Sequence, residues 1–166
     1  FVATVGACAD SQRATAPSDV RGSPHGPSYS ASVGFGGALL GRANIPDGFK
    51  LKRKNAKWDF EINAKDPTDV AVQSLTIAPG GSSGWHSHPG PVILQVTSGT
   101  MTFYESEDPS CSPVVRTVGQ VFIESGTDAH IGRNETGAPA TAIATVFSPP
   151  GVPLRIEEQA TGNCPF

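Results

Sequence analysis

The chain has 166 residues, enough for one domain with a buried core, and its 19 glycines and 15 prolines favour short strands joined by turns over helices. Only 16 per cent of residues are charged and the net charge is −3, so neither nucleic acid nor an anionic membrane is expected as a partner. No run approaches the length of a transmembrane helix.

Residues 1–9, Phe-Val-Ala-Thr-Val-Gly-Ala-Cys-Ala, read as the tail of a signal peptide's apolar region. Within them Val5-Gly6-Ala7-Cys8 resembles a bacterial lipobox, in which Cys8 would carry a lipid anchor. Ordinary cleavage near Ala7 or Ala9 is the alternative. Residues 10–32 are rich in Ser, Pro, Gly and Ala and read as a flexible arm, in which His25 is expected to be solvated. The expected division is therefore an arm over residues 1–32 and a folded domain over 33–166.

Structure is expected to begin near Val33–Leu40. The next segment, residues 50–57, carries five of the twelve basic residues and reads as a solvated edge strand whose lysines discourage pairing. A basic rim for anionic ligands is its other reading. Val70–Ala78 alternates, so that Gln73, Leu75 and Ile77 share one face, pointing into the core by parity. Val92–Thr97 and Thr100–Glu105 flank Ser98-Gly99, a hairpin signal. Strands over 114–118, 121–124, 129–133 and 140–147 follow, separated by Gly, Pro, Asp and Asn. Short strands at this spacing argue an all-β sandwich or barrel. Pro149-Pro150-Gly151 ends it, and residues 152–166 read as an extended cover.

Chemistry concentrates in Gly80–Gly99. His86 and His88 are two residues apart, so in extended chain both imidazoles aim at one point, as a metal site needs. A third histidine, His130, closes a second glycine-bounded stretch that runs from Gly119 to Asn134. The two stretches resemble the paired motifs of the cupin superfamily. Gly80, His86, His88 and Gly99 fall in register with the first motif, and Gly119, His130 and Asn134 with the second, while Ser125 and Thr127 replace its Pro and Gly. The glutamate that the first motif normally carries falls at Val92, which cannot bind a metal.

The resemblance, which covers roughly residues 70 to 150, implies a single double-stranded β-helix (jelly-roll) barrel. It also implies a divalent metal held by His86, His88 and His130, with Fe, Mn, Zn, Ni and Cu not distinguished by the ligands. Three neutral histidines would leave the ion its full charge and favour a small anionic chelating substrate. Cupins with this ligand subset include dioxygenases, which makes a mononuclear Fe(II) dioxygenase the leading expectation. The alternatives are a Zn or Mn Lewis-acid hydrolase, lyase or isomerase, and a non-catalytic metal- or ligand-binding cupin.

Other candidates are read from the residues alone. Gln73 is either a buried amide satisfied by backbone or a contact to substrate or metal. Trp85 and Tyr104 are candidates for the pocket mouth, with plain packing as the alternative. Glu105 and Glu124 lie near strand ends, where a solvated carboxylate is expected. Asn134 reads as a turn residue bonding to backbone. Cys111 and Cys164 lie in loops, where a disulfide would stabilise the fold by roughly 4 kcal/mol in the loop-entropy account; two free thiols are the alternative. A disulfide and the N-terminal segment both favour a secreted, cell-surface or periplasmic protein of bacterial type. The expected partners are a small-molecule ligand or substrate, a lipid at Cys8 and, as a homodimer, a second copy of the chain.

Overall fold

The structure is a computed structural model that describes residues 30–160 and 162–166. Expectations placed on Cys8, His25 and the arm as far as residue 29 lie outside the described residues. From Ser30 on, the chain forms β1 (Val33–Ile45), β2 (Phe49–Asn55), β3 (Trp58–Ala64), β4 (Thr68–Ser82), β5 (His86–Ser87) and β6 (Val92–Ser98). There follow β7 (Thr100–Glu105), β8 (Val114–Thr117), β9 (Val121–Glu124), β10 (His130–Arg133), β11 (Ala140–Ser148) and β12 (Ile156–Glu157).

Period-two burial explains why these segments are strands. Along β11 every second side chain is buried, and β6 and β9 alternate in the same way. All the pairings are antiparallel. One face of the barrel runs β1–β4–β11–β6–β9 and the opposing face β12–β5–β10–β7–β8. The faces meet where Arg133 pairs with Ser82. This is the jelly-roll arrangement, and it places β5 and β10, which carry histidines, opposite the apolar strands β4, β6 and β11. Between the faces lie Ile77, Leu94, Val96, Met101, Phe103 and Phe122. The rings of Phe103 and Phe122 stack at 4.0 Å, one from each face. Truncating either to alanine would cost about 3–5 kcal/mol.

One expectation is corrected. Ser98-Gly99 is not a hairpin turn: β6 pairs with β11 and β9, whereas β7 pairs with β10 and β8. The chain crosses there from one face to the other, through Gly99 at φ 70°. A Cβ at Gly99 would sit 2.7 Å from the Pro139 carbonyl oxygen, so the crossing needs glycine. The basic segment is a solvated edge strand, as expected, and it lies outside the barrel. It forms β2, paired only with β3 in a separate two-stranded sheet. Lys50 and Lys52 bridge Glu61, and Lys54 bridges Asp59, all at exposed positions where such pairs contribute little.

Candidate metal centre

His86 and Ser87 form β5, and strand parity sends their side chains to opposite faces. The Ser87 hydroxyl turns outward and donates to Glu158 Oε1 at 2.7 Å. His86 turns inward, and so does His88. The position of His88 is set by its backbone N–H, which donates to the Gly126 carbonyl at 2.7 Å. Gly126 has φ 120°, and a Cβ there would fall 2.7 Å from the Gly90 carbonyl carbon, so the loops of the two motifs touch backbone to backbone. His130 opens β10 directly across the ladder from His86. All three imidazoles are buried, and one ligand atom from each lies within 4.8 Å of the others.

Hydrogen bonds outside the cluster set the tautomers. Nδ1 of His86 donates to the Gly84 carbonyl at 3.0 Å, Nδ1 of His88 to Leu154 at 2.6 Å, and Nδ1 of His130 to Asp128 at 3.1 Å. A carbonyl can only accept, so each ring carries its proton on Nδ1 and turns an Nε2 lone pair inward. Burial, then repulsion from His130, Arg155 and His88, pushes the His86 pKa down to about 2. It is neutral, as a ligand must be.

The structure also brings in a residue that was expected in solvent. Glu124 is 5% exposed, and its Oε2 lies 3.1 Å from His88 Nε2 and 3.3 Å from His130 Nε2. Burial alone would raise its pKa, but His130 and His88 outweigh that and hold the carboxyl well below its usual range. Burial pulls the His130 pKa down, and the facing carboxylate more than restores it. The contacts are close but poorly aligned for hydrogen bonding, which leaves Glu124 Oε2 and His130 Nε2 buried without a hydrogen-bond partner. The three imidazoles therefore lie close together, and the Glu124 carboxylate stands beside two of them, His88 and His130. A proton can satisfy one pair of these groups at a time, whereas a divalent cation can take up the three nitrogens together. The donor set thus fits a metal ion.

These groups open onto a cavity of about 230 Å³, walled by Phe35, Leu75, Ile77, Leu94, Met101 and Phe103. Gln73 and Val92 also line it. Trp85 and Tyr104 do not. They pack with Ile131 and Cys164 in a separate cluster, because residues adjacent to inward-facing His86 and His130 on a strand point outward, and Tyr104 pairs with Ile131. Glu105 is exposed at the end of β7, as expected of a solvated carboxylate. Asn134 is fully buried, and its amide donates to the carbonyls of Ile77 and Ala138.

Sequence reasoning missed Glu124 and Arg155. Parity could have found the first, since Phe122 is a natural core residue of β9 and Glu124 shares its face. No local signal marks Arg155, which lines the cavity from the segment entering β12.

The family described as "Cupin domain" matches residues 73–147, a span that contains the three converging histidines and Glu124. No match was found among curated proteins. Among solved structures, an uncharacterised double-stranded β-helix protein from Klebsiella pneumoniae superposes with a TM-score of 0.47 at 16% identity, over 55% of this chain and 76% of that one. A DMSP lyase structure gives 0.46 at 19% identity, over 54% and 44%. An oxalate oxidase gives 0.42 at 21% identity, over 48% and 41%. The present chain spans less than half the length of each of the last two.

Proposed function

Residues 73–147 of this chain form a cupin domain, and we propose that it is the body of a metal-dependent enzyme in which His86, His88, His130 and Glu124 hold one divalent ion. The convergence of three buried imidazoles, with the Glu124 carboxylate 3.1 Å from His88 and 3.3 Å from His130, carries this reading. The reaction it supports best is an oxygen-dependent oxidation of a small organic molecule.

The reasoning is by chemistry of the cavity wall. Among the described residues, the ionisable side chains lining the cavity are His86, His88, Glu124, His130 and Arg155. With four of them committed as ligands, only a guanidinium remains, and it does not deprotonate. Isomerisation would want a positioned protein base, and none is left over; hydrolysis would need only a metal-activated water and is the second reading. A redox-active ion such as iron would supply oxygen activation and the electrons for it. The protein's own part is to fix three imidazoles through carbonyl bonds, to lower the charge of the centre by one through Glu124, and to keep water out with an apolar wall. Export belongs to the same reading, since a disulfide is at home in an oxidising compartment.

The test is metal analysis of protein purified without chelators, followed by oxygen uptake of the iron-loaded form with small organic acids. One equivalent of metal is expected in the wild type and little in His130→Ala. Full retention by that variant would defeat the ligand assignment. Stoichiometric metal without oxygen uptake would turn the reading to a Lewis-acid enzyme or a binder.

A further inference from the structure

We propose that Arg155 is the anion anchor of the cavity, and that the molecule bound there is a small apolar carboxylate whose acid group lies on Arg155 and whose other end faces the four donors. The inference rests on the metal-centre reading for that second end alone; the Arg155 contact stands by itself.

Strand pairing puts the side chain in place. In the β12–β5 ladder Ile156 pairs with Ser87 and Glu157 with His86. Ser87 faces outward, so Arg155, one residue before Ile156, shares the inward face of His86 and His88. Most of its guanidinium is already fixed. Nη2 donates to the Ser83 carbonyl at 2.6 Å and to Glu157 Oε2 at 2.8 Å, and Nε donates to Glu157 Oε1. Nη1 differs: it is buried and has no hydrogen-bond partner. Glu157 balances the charge, but Nη1 remains a rigid, buried N–H donor with no hydrogen-bond partner, which an incoming carboxylate oxygen can use. The guanidinium carbon also lies 5.8 Å from the centre of the Phe35 ring, on the cavity wall.

The rest of the ligand follows from the wall. Apolar side chains dominate the roughly 230 Å³ cavity. A dry apolar cavity of about 150 Å³ accepts benzene, so this one has room for a ring or branched chain with a short acid arm. Buried Glu124 disfavours a second anion at the metal end, which makes a monocarboxylate the fitting class.

Calorimetric titration with phenylacetate and with its neutral isostere 2-phenylacetamide tests this. The protein would be wild type, Arg155→Gln and Arg155→Lys, each metal-stripped and zinc-loaded. Wild type should bind the acid about tenfold or more tighter than the amide, with or without zinc. Arg155→Gln should lose that preference while keeping its amide affinity and zinc content. Arg155→Lys, which keeps the charge but not the fork, should fall between and covers the case in which the Gln variant fails to fold. No acid preference in wild type, a preference that survives in Arg155→Gln, or one that vanishes on removing zinc would each overturn the proposal. Acid preference in a protein that takes up no zinc would leave Arg155 standing and remove the metal centre instead.

Discussion

Val92 and Glu124 are directly opposed across the β6–β9 ladder. Opposed residues on one face have Cβ atoms about 4.5–5.5 Å apart, so a carboxylate from either strand can serve the same point. The motif's usual glutamate position holds valine here, and the proposed carboxylate ligand, Glu124, comes from the neighbouring strand. The exchange can be tested by reversing it. Glu124→Val should weaken zinc binding about tenfold or more in a competition titration, by loss of one anionic ligand. Adding Val92→Glu to that variant should recover most of the affinity, from the other strand. Val92→Glu alone would oppose two buried carboxylates, which cannot both stay charged cheaply, and should lower the unfolding midpoint. Wild-type affinity in Glu124→Val would show that the carboxylate is not a ligand. The three histidines were legible because strand parity and motif spacing are local properties. Glu124 was obscured by its place at a strand end, where acids are ordinarily solvated.

At the scale of elements, the segment after β11 is what sequence patterns described least. Pro149-Pro150-Gly151 marks the end of a strand, but where the chain goes next depends on partners far away in sequence. Asp69 at the start of β4 provides them. Its Oδ2 accepts the Gly151 N–H at 3.0 Å and Arg42 Nε at 2.7 Å, and its Oδ1 accepts Asn44 Nδ2 at 2.8 Å. Arg42 in turn donates to the Val152 carbonyl at 2.9 Å. These bonds tie β1 and β4 to the turn that leads, through the Leu154 carbonyl holding His88, to Arg155 and β12. The Gly151 N–H first, then Asn44 and Arg42, lower the Asp69 pKa from 3.8. A carboxylate depressed in the folded state stabilises in full above its unfolded value and loses that contribution as pH falls through the folded one. The wild-type unfolding midpoint should therefore exceed that of Asp69→Asn at pH 7, and the gap should narrow below about pH 4. An equal gap at pH 7 and pH 3 would contradict this account.

Over the whole molecule, the last residues are held to the barrel by the Cys111–Cys164 disulfide, whose α-carbons are 5.3 Å apart and whose sequence separation is 53. The pairing could be anticipated because both cysteines sit in loops of a chain read as exported. What they close over could not, since it is composed of residues from three remote stretches. Cys164 packs with Trp85, Tyr104 and Ile131 on the outer side of the β5–β10–β7 face. Phe166 lies edge-on to Tyr104 and beneath the Arg133 guanidinium, and its carbonyl accepts the Trp85 indole N–H at 3.4 Å. The tail thus covers the backs of the strands whose fronts carry His86 and His130. A loop of this length predicts that the disulfide contributes about 4 kcal/mol through the unfolded chain. Changing Cys111 and Cys164 together to serine should lower the unfolding midpoint by several degrees and shift emission from Trp85, at present fully buried, to the red. Zinc affinity should change little, because the carbonyls of Gly84, Asp128 and Leu154 that orient the histidines all lie outside residues 162–166, which the disulfide pins. A midpoint identical with and without reducing agent would show that the bridge holds no part of the fold. A large loss of zinc would show that the cover and the metal centre are one cooperative unit.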